Sequence, residues 1–215
     1  MNTTAATTRA TRSETADAIA VILYAAAALV TVAFATILRV AGTFRDSGIA
    51  WSIPIDEQPI SATTDSGAIS VEGIAQDAMV FAADVNAVSV AAIIAAIGLW
   101  ALAALLVIGS VTLVAWNFLR GRFFVRGNAR AFDVIGWTLV VAPILIVMFE
   151  TMGRNGVTSA LGIGDGEPVH PIEFWSVAPI FATGVTVGLI AVAFRRGIRL
   201  QNEKLALEKE TEGLV

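Results

Sequence analysis

Histidine, cysteine and paired acids build most catalytic and metal sites, and this chain has few of them where they could cooperate. It contains one histidine and no cysteine. The lack of thiols excludes disulfides, iron–sulfur clusters, thiolate zinc sites and cysteine nucleophiles. The single imidazole, His170, stands between Pro168 and Pro171. It cannot supply bis-histidine haem ligation or a multi-histidine metal site, and it reads as a solvated loop residue. Sensing pH near neutrality is the chemistry open to it alone. The acids Asp56-Glu57, and Asp165 and Glu167 within Gly162–Glu167, offer the oxygen ligands that calcium takes. They lack the spacing of a calcium loop, so a solvated acidic face is expected. With no Ser/His, paired-Asp or metal constellation, neither an enzyme nor a cofactor is expected.

Arginine is the charged type that gathers. Arg120, Arg122, Arg126 and Arg130 fall in one short stretch, and Arg195, Arg196 and Arg199 in another. Guanidinium groups match the geometry of phosphate and carboxylate, and beside an anionic leaflet each gains roughly 1 kcal/mol. Contact with membrane lipids and docking of a cytoplasmic regulatory protein both fit. Signalling of membrane orientation needs the same charges and is their plainest explanation. Direct nucleic-acid binding is not expected from a chain of net charge −4.

These groups must be positioned by membrane helices. Of 215 residues, 56% are hydrophobic and 15% charged, with a mean hydropathy of +0.76. Soluble domains carry roughly 25% charged residues, so the balance excludes a disordered chain and almost any soluble enzyme of this length. A membrane span needs about 20 apolar residues. Uncharged runs extend over Ala18–Leu38, Val85–Leu119, Val134–Phe149 and Phe174–Phe194. The third is short and is expected to extend past the flanking Asp133 and Glu150. The first contains Ala33-Phe34-Ala35, the form of a cleavage site. Its run is too long for a signal-peptide h-region and follows a long polar tail, so an uncleaved helix is expected.

Eleven of the 14 cationic residues flank the spans on one side: Arg9 and Arg12, the four arginines of 120–130, and Arg195, Arg196, Arg199, Lys204 and Lys209. The positive-inside rule puts both termini and the 120–130 loop in the cytoplasm. The expected layout is a cytoplasmic tail over 1–17, spans at about 18–38, 97–119, 131–152 and 174–194, outer connections over 39–96 and 153–173, and a charged cytoplasmic tail over 195–215. The second apolar run overshoots a membrane. Counted back from Arg120, the span begins near Ile97, and the segment from about Phe81 to Ala96 would project outward by about 20 Å as helix. Within the first outer loop, 68–72 alternates like a strand, and 49–55 is its weaker partner, with Pro54 placing it at an edge. Such a hairpin needs the helix extension or the second outer loop beneath it.

Inside the spans, Pro143 and Pro179 are candidate kinks. Fitting the bundle is their simplest role; lining a transported solute's path is the sharper one. Gly184 and Gly188 are a small-xxx-small pair for helix packing, within the bundle by default and in a homo-oligomer as the alternative. Trp116, Trp137 and Trp175 fall where interface belts are expected, and Trp100 reads as interhelical packing or an outer anchor. Asp133 is expected to pair with Arg130, and Glu150 with Arg154, each on its own helix.

Two spans close on the same pattern of aromatic, arginine and glycine: Phe118-Leu119-Arg120-Gly121 and Phe194-Arg195-Arg196-Gly197. Glycine suits the left-handed position that ends a helix, so both are expected to be stops. The segments Gly121–Phe124, Gly127–Arg130 and Ile135–Trp137, with the tail Phe194–Glu203, resemble a family of small four-span bacterial membrane proteins catalogued only as a domain of unknown function. Phe132, where leucine is expected, departs from it. Its members are often encoded beside a small helix-turn-helix regulator, so the resemblance implies a membrane-linked regulatory pair and no catalytic residue. Asn128 is expected to cap the third helix.

The sequence therefore points to an all-α membrane protein: four transmembrane helices in a bundle, cytoplasmic termini, and a small extracytoplasmic cap holding a short β-hairpin. A multi-pass protein of the bacterial plasma membrane, regulatory or scaffolding and acting through a cytoplasmic partner, is the favoured reading. A small transporter, or a transport-complex subunit, for an uncharged or hydrophobic solute is the alternative.

Overall fold

In a computed structural model, residues 3–63, 70–163 and 171–212 are described. The described residues form four long helices and a three-stranded antiparallel sheet. In order they are α1 (Thr3–Thr43), β1 (Phe44–Arg45), β2 (Gly48–Thr63), β3 (Ser70–Ala82), α2 (Ala87–Leu119), α3 (Arg126–Ala160) and α4 (Pro171–Glu212). Each helix contains a stretch long and apolar enough to cross a membrane, within Ala16–Thr43, Ala87–Leu119, Arg126–Ala160 and Val177–Lys209. No described side chain of α1 is buried. Its Leu23, Val30, Phe34 and Ile37 are between 61% and 68% exposed. So much open apolar surface suits a helix solvated by lipid.

The chain divides into two compact units. One comprises residues 37–97 and 148–169, and the other residues 1–36, 98–147 and 170–215. The first holds the sheet, ordered β1-β2-β3. Asp46 and Ser47 turn β1 into β2, which pairs Phe44 with Ile49 and Arg45 with Gly48. Gly48 has φ 114°, and a Cβ there would lie 2.4 Å from the carbonyl oxygen of Ala82, so only glycine fits. Ile49, Trp51 and Ile53 face Ala82, Val80 and Ala78 across β2 and β3. With period-2 alternation this face turns inward, where Ile49 and Ala82 join Ile93, Ile97 and Val157 in the core.

The hairpin differs from the expected one. Residues 49–54 pair with 77–82, not with 68–72, and the register shifts between Pro54 and Gln58. A proline that cannot donate is tolerated beside such an irregularity, and two long strands replace two short ones. Helix α2 starts at Ala87 instead of near Phe81, because Phe81 and Ala82 finish β3. Asn86 is its N-cap, with Oδ1 accepting from the backbone N–H of Ser89 at 2.9 Å. The sheet packs on Ile93 and Ile97 of α2 and on Val157 of α3.

Helix α3 continues to Ala160 instead of ending near Met152, and brings two glycines against α2. A Cβ on Gly153 would meet Ile93 Cγ1 at 2.5 Å, and one on Gly156 would meet Ser89 Oγ at 2.1 Å. The helix ends in a Schellman motif at Gly162, whose φ is 66°. Gly162 N–H donates to the carbonyl of Ser159 at 3.1 Å and Ile163 N–H to that of Thr158 at 3.0 Å.

Candidate functional site

The second unit carries the seven arginines of 120–130 and 195–199. Its buried residues are mostly small: Val114 from α2, Ala129, Ala131 and Ile135 from α3, and Ala191 from α4. Small residues allow the close backbone approach that apolar helices need. Gly184 is buried on α4, and a Cβ there would stand 2.9 Å from Leu139 Cβ and 3.0 Å from the Gly136 carbonyl oxygen. A Cβ on Gly136 would in turn lie 3.1 Å from Gly188 N. The Gly184/Gly188 pair thus packs on Gly136 of the same chain. Pro143 and Pro179 lie inside continuous helices. Neither lines the two clefts described below. Thr183 Oγ1 donates to the Pro179 carbonyl at 2.8 Å, and Thr31, Thr36, Thr112 and Thr186 likewise donate four residues back. Their hydroxyls are thereby satisfied within apolar helices.

The loop between α2 and α3 is fastened at both ends. Gly121, at φ 68°, ends α2: its N–H donates to the Phe118 carbonyl at 2.9 Å, and Arg122 N–H donates to the Asn117 carbonyl at 2.9 Å. This is the Schellman pattern, with glycine at the left-handed position. Asn128 is wholly buried and is not the N-cap expected of it, because α3 already begins at Arg126. Its Nδ2 donates to the carbonyls of Arg122 at 3.1 Å and Phe123 at 2.8 Å. Its Oδ1 accepts from Asn117 Nδ2 at 2.8 Å. A buried amide left unpaired costs about 1–3 kcal/mol, so these three bonds fix the loop's path.

The matching ending on α4 behaves differently. Gly197 is not a stop, and α4 runs on to Glu212. The sequence after it is rich in helix formers and carries the i, i+4 pairs Arg199–Glu203 and Lys204–Glu208. Gly197 instead makes room for a ring: a Cβ there would sit 2.8 Å from Phe124 Cε1. Phe194 gathers the aromatics, with ring centroids 6.4 Å from Phe118, 5.7 Å from Phe124 and 4.9 Å from Phe132. Phe123 packs on Phe118 at 5.1 Å. Each such pair contributes about 0.5–1.5 kcal/mol beyond area burial.

Four of the seven arginines converge. Arg126, Arg130, Arg195 and Arg199 line a cleft of about 400 Å³ between α3 and α4, together with Asp133 and Asn202. Asp133 pairs with Arg195 of α4, not with Arg130 on its own helix. Arg120 lies over the Trp116 ring, 4.7 Å from its centroid. It shares a shallow depression with Arg122 at the α2 turn. Arg196 lines neither cleft. In the sheet-bearing unit, Glu150 pairs with Arg39. Among the described residues no three metal-ligating side chains cluster. His170 and the acids Asp165 and Glu167 lie outside the described residues.

Sequence reasoning named the seven arginines but missed Asn117 and Asn128 as a pair, and missed Gly136, Gly153 and Gly156. The glycines had a local signal, since Gly153-Arg-Asn-Gly156 stands at helical spacing. The asparagine pair had none, because it joins residues on separate helices. Comparison with known protein families, curated proteins and solved structures gives no match for this chain.

Proposed function

We propose that this chain is a multi-pass protein of a bacterial cytoplasmic membrane that works without catalysis, as a platform for a cytoplasmic partner protein. The four membrane-length helices and the one-sided placement of eleven of the 14 cationic residues support the orientation, with the connections after α1 and α3 exported. No family match stands behind the reading. It rests on charge placement and on geometry.

Two exposed features carry it, the arginine turn that ends α2 and the far end of α4. Arg120 and Arg122 are exposed on a turn held by Gly121 and Asn128. The end of α4, over residues 199–209, is exposed throughout. Leu200 and Leu207, each 64% exposed, stand seven apart on one helical face among charges, the pattern by which one helix offers a seam to another. An arginine turn held in place, together with such a seam, suits a partner with an acidic rim and an apolar helical face.

Gentle solubilisation of the tagged protein at native levels, with mass spectrometry of co-purifying material, tests this. A stoichiometric cytoplasmic protein is the expected result, lost in Arg120→Glu/Arg122→Glu and in Leu200→Glu/Leu207→Glu. Recovery of other membrane subunits instead would favour a transport complex.

A further inference from the structure

We infer that the cleft between α3 and α4 binds the phosphate of an anionic phospholipid headgroup, an inference that rests on the orientation proposed above. Two i, i+4 arginine pairs face each other there, Arg126 and Arg130 on α3, Arg195 and Arg199 on α4, with the Asn202 amide beside them. Two acids offset only half of that charge. Asp133 is engaged by Arg195, and Arg199 reaches along its helix to Glu203. Among the described residues no carboxylate lies within ion-pair distance of Arg126 or Arg130.

The backbone adds to the same field. Arg126 opens α3, at the positive end of the helix dipole, and the first turn contains no acid. A cation is disfavoured there and an anion is favoured. Four guanidinium groups against two carboxylates at a cleft of about 400 Å³ leave a net positive recess, with Arg126 and Arg130 on its α3 side, that a phosphate fits by charge and by donor geometry.

Its depth argues for lipid as the source. Arg195 directly follows Phe194, where the last apolar run ends. Phe123 and Phe124, each 52% exposed, precede Arg126. Arginines bordering the end of an apolar run reach the headgroup level, and basic pockets between helices on the cytoplasmic side hold anionic headgroups.

The test uses the full chain in nanodiscs of phosphatidylcholine containing a minor fraction of phosphatidylglycerol, with retained lipid counted by native mass spectrometry. One phosphatidylglycerol per chain is expected in preference to phosphatidylcholine. Arg126→Gln/Arg130→Gln should weaken retention roughly 30-fold, at two arginines' worth of interfacial attraction. Arg120→Gln/Arg122→Gln, outside the cleft, should retain lipid as the wild type does. Arg199→Gln, with a several-fold loss, serves if the double variant is misfolded. Equal loss in both double variants, or no preference for phosphatidylglycerol, overturns the inference. Displacement by millimolar inorganic phosphate also overturns it, by making the ligand a soluble anion. Capture of the partner protein reads other residues, so lipid failure with capture intact sinks this inference alone.

Discussion

Asn117 and Asn128 join the end of α2 to the start of α3 through one side-chain hydrogen bond of 2.8 Å. Asn128 is the buried member and also donates to two carbonyls of the intervening loop. Asn128→Asp removes both donations and sets a carboxylate against two carbonyl oxygens. It should lower the thermal midpoint in detergent by the equivalent of about 2–3 kcal/mol, whereas Asn117→Ala, which leaves the loop bonds intact, should cost about 1 kcal/mol. Equal effects would show that the loop bonds contribute little.

Gly184 and Gly188 should respond oppositely to the same change. Alanine at 184 places a methyl group against Leu139 and the Gly136 carbonyl at about 3 Å, which should destabilise by about 1–3 kcal/mol. Alanine at 188 meets nothing within 4 Å and gains helix propensity, so it should be neutral or stabilising. If Gly188→Ala instead shifted the oligomeric state in size-exclusion chromatography, that face would serve a second copy.

The α2–α3 contact in the sheet-bearing unit is testable by rescue. Gly156→Ala puts a Cβ 2.1 Å from Ser89 Oγ and should cost about 1–3 kcal/mol. Ser89→Gly opens that space, so the double variant should be more stable than the sum of the two single changes by about 1 kcal/mol or more. Additive losses in thermal melts would contradict the close approach.

Hydropathy made the four helices legible because a span is a local property: Arg39, Arg120 and Arg195 bracket the runs in the sequence itself. Gly121 was legible for the same reason, as a stop is written in the residues that form it. What was not legible depends on rotation and on residues far apart. Asp133 takes Arg195 of α4 over Arg130, three residues away, because facing helices bring them together. Gly197 looked like Gly121, but its role was decided by the Phe124 ring lying across it. The hairpin's alternation was visible, while its pairing was not. A register shift at Pro54–Gln58 breaks the period-2 pattern on which such a reading depends.

The proposed docking surface should be separable from the fold. Leu200→Glu/Leu207→Glu changes two exposed positions on α4, so circular dichroism and melting should stay within about 0.5 kcal/mol of wild type. Partner recovery should nevertheless fall at least tenfold. Unchanged recovery would remove α4 from the surface.

The central claim is that the arginine-bearing ends of the helices face the cytoplasm while the sheet-bearing connections are exported. A chain without native cysteine allows it to be tested directly, with single cysteines at the exposed positions Ser61, Ser159 and Asn202. In intact cells a membrane-impermeant thiol reagent should label Ser61→Cys and Ser159→Cys, and should label Asn202→Cys only after permeabilisation. Labelling of Asn202→Cys in intact cells, or protection of the other two, would contradict the orientation and the docking role built on it.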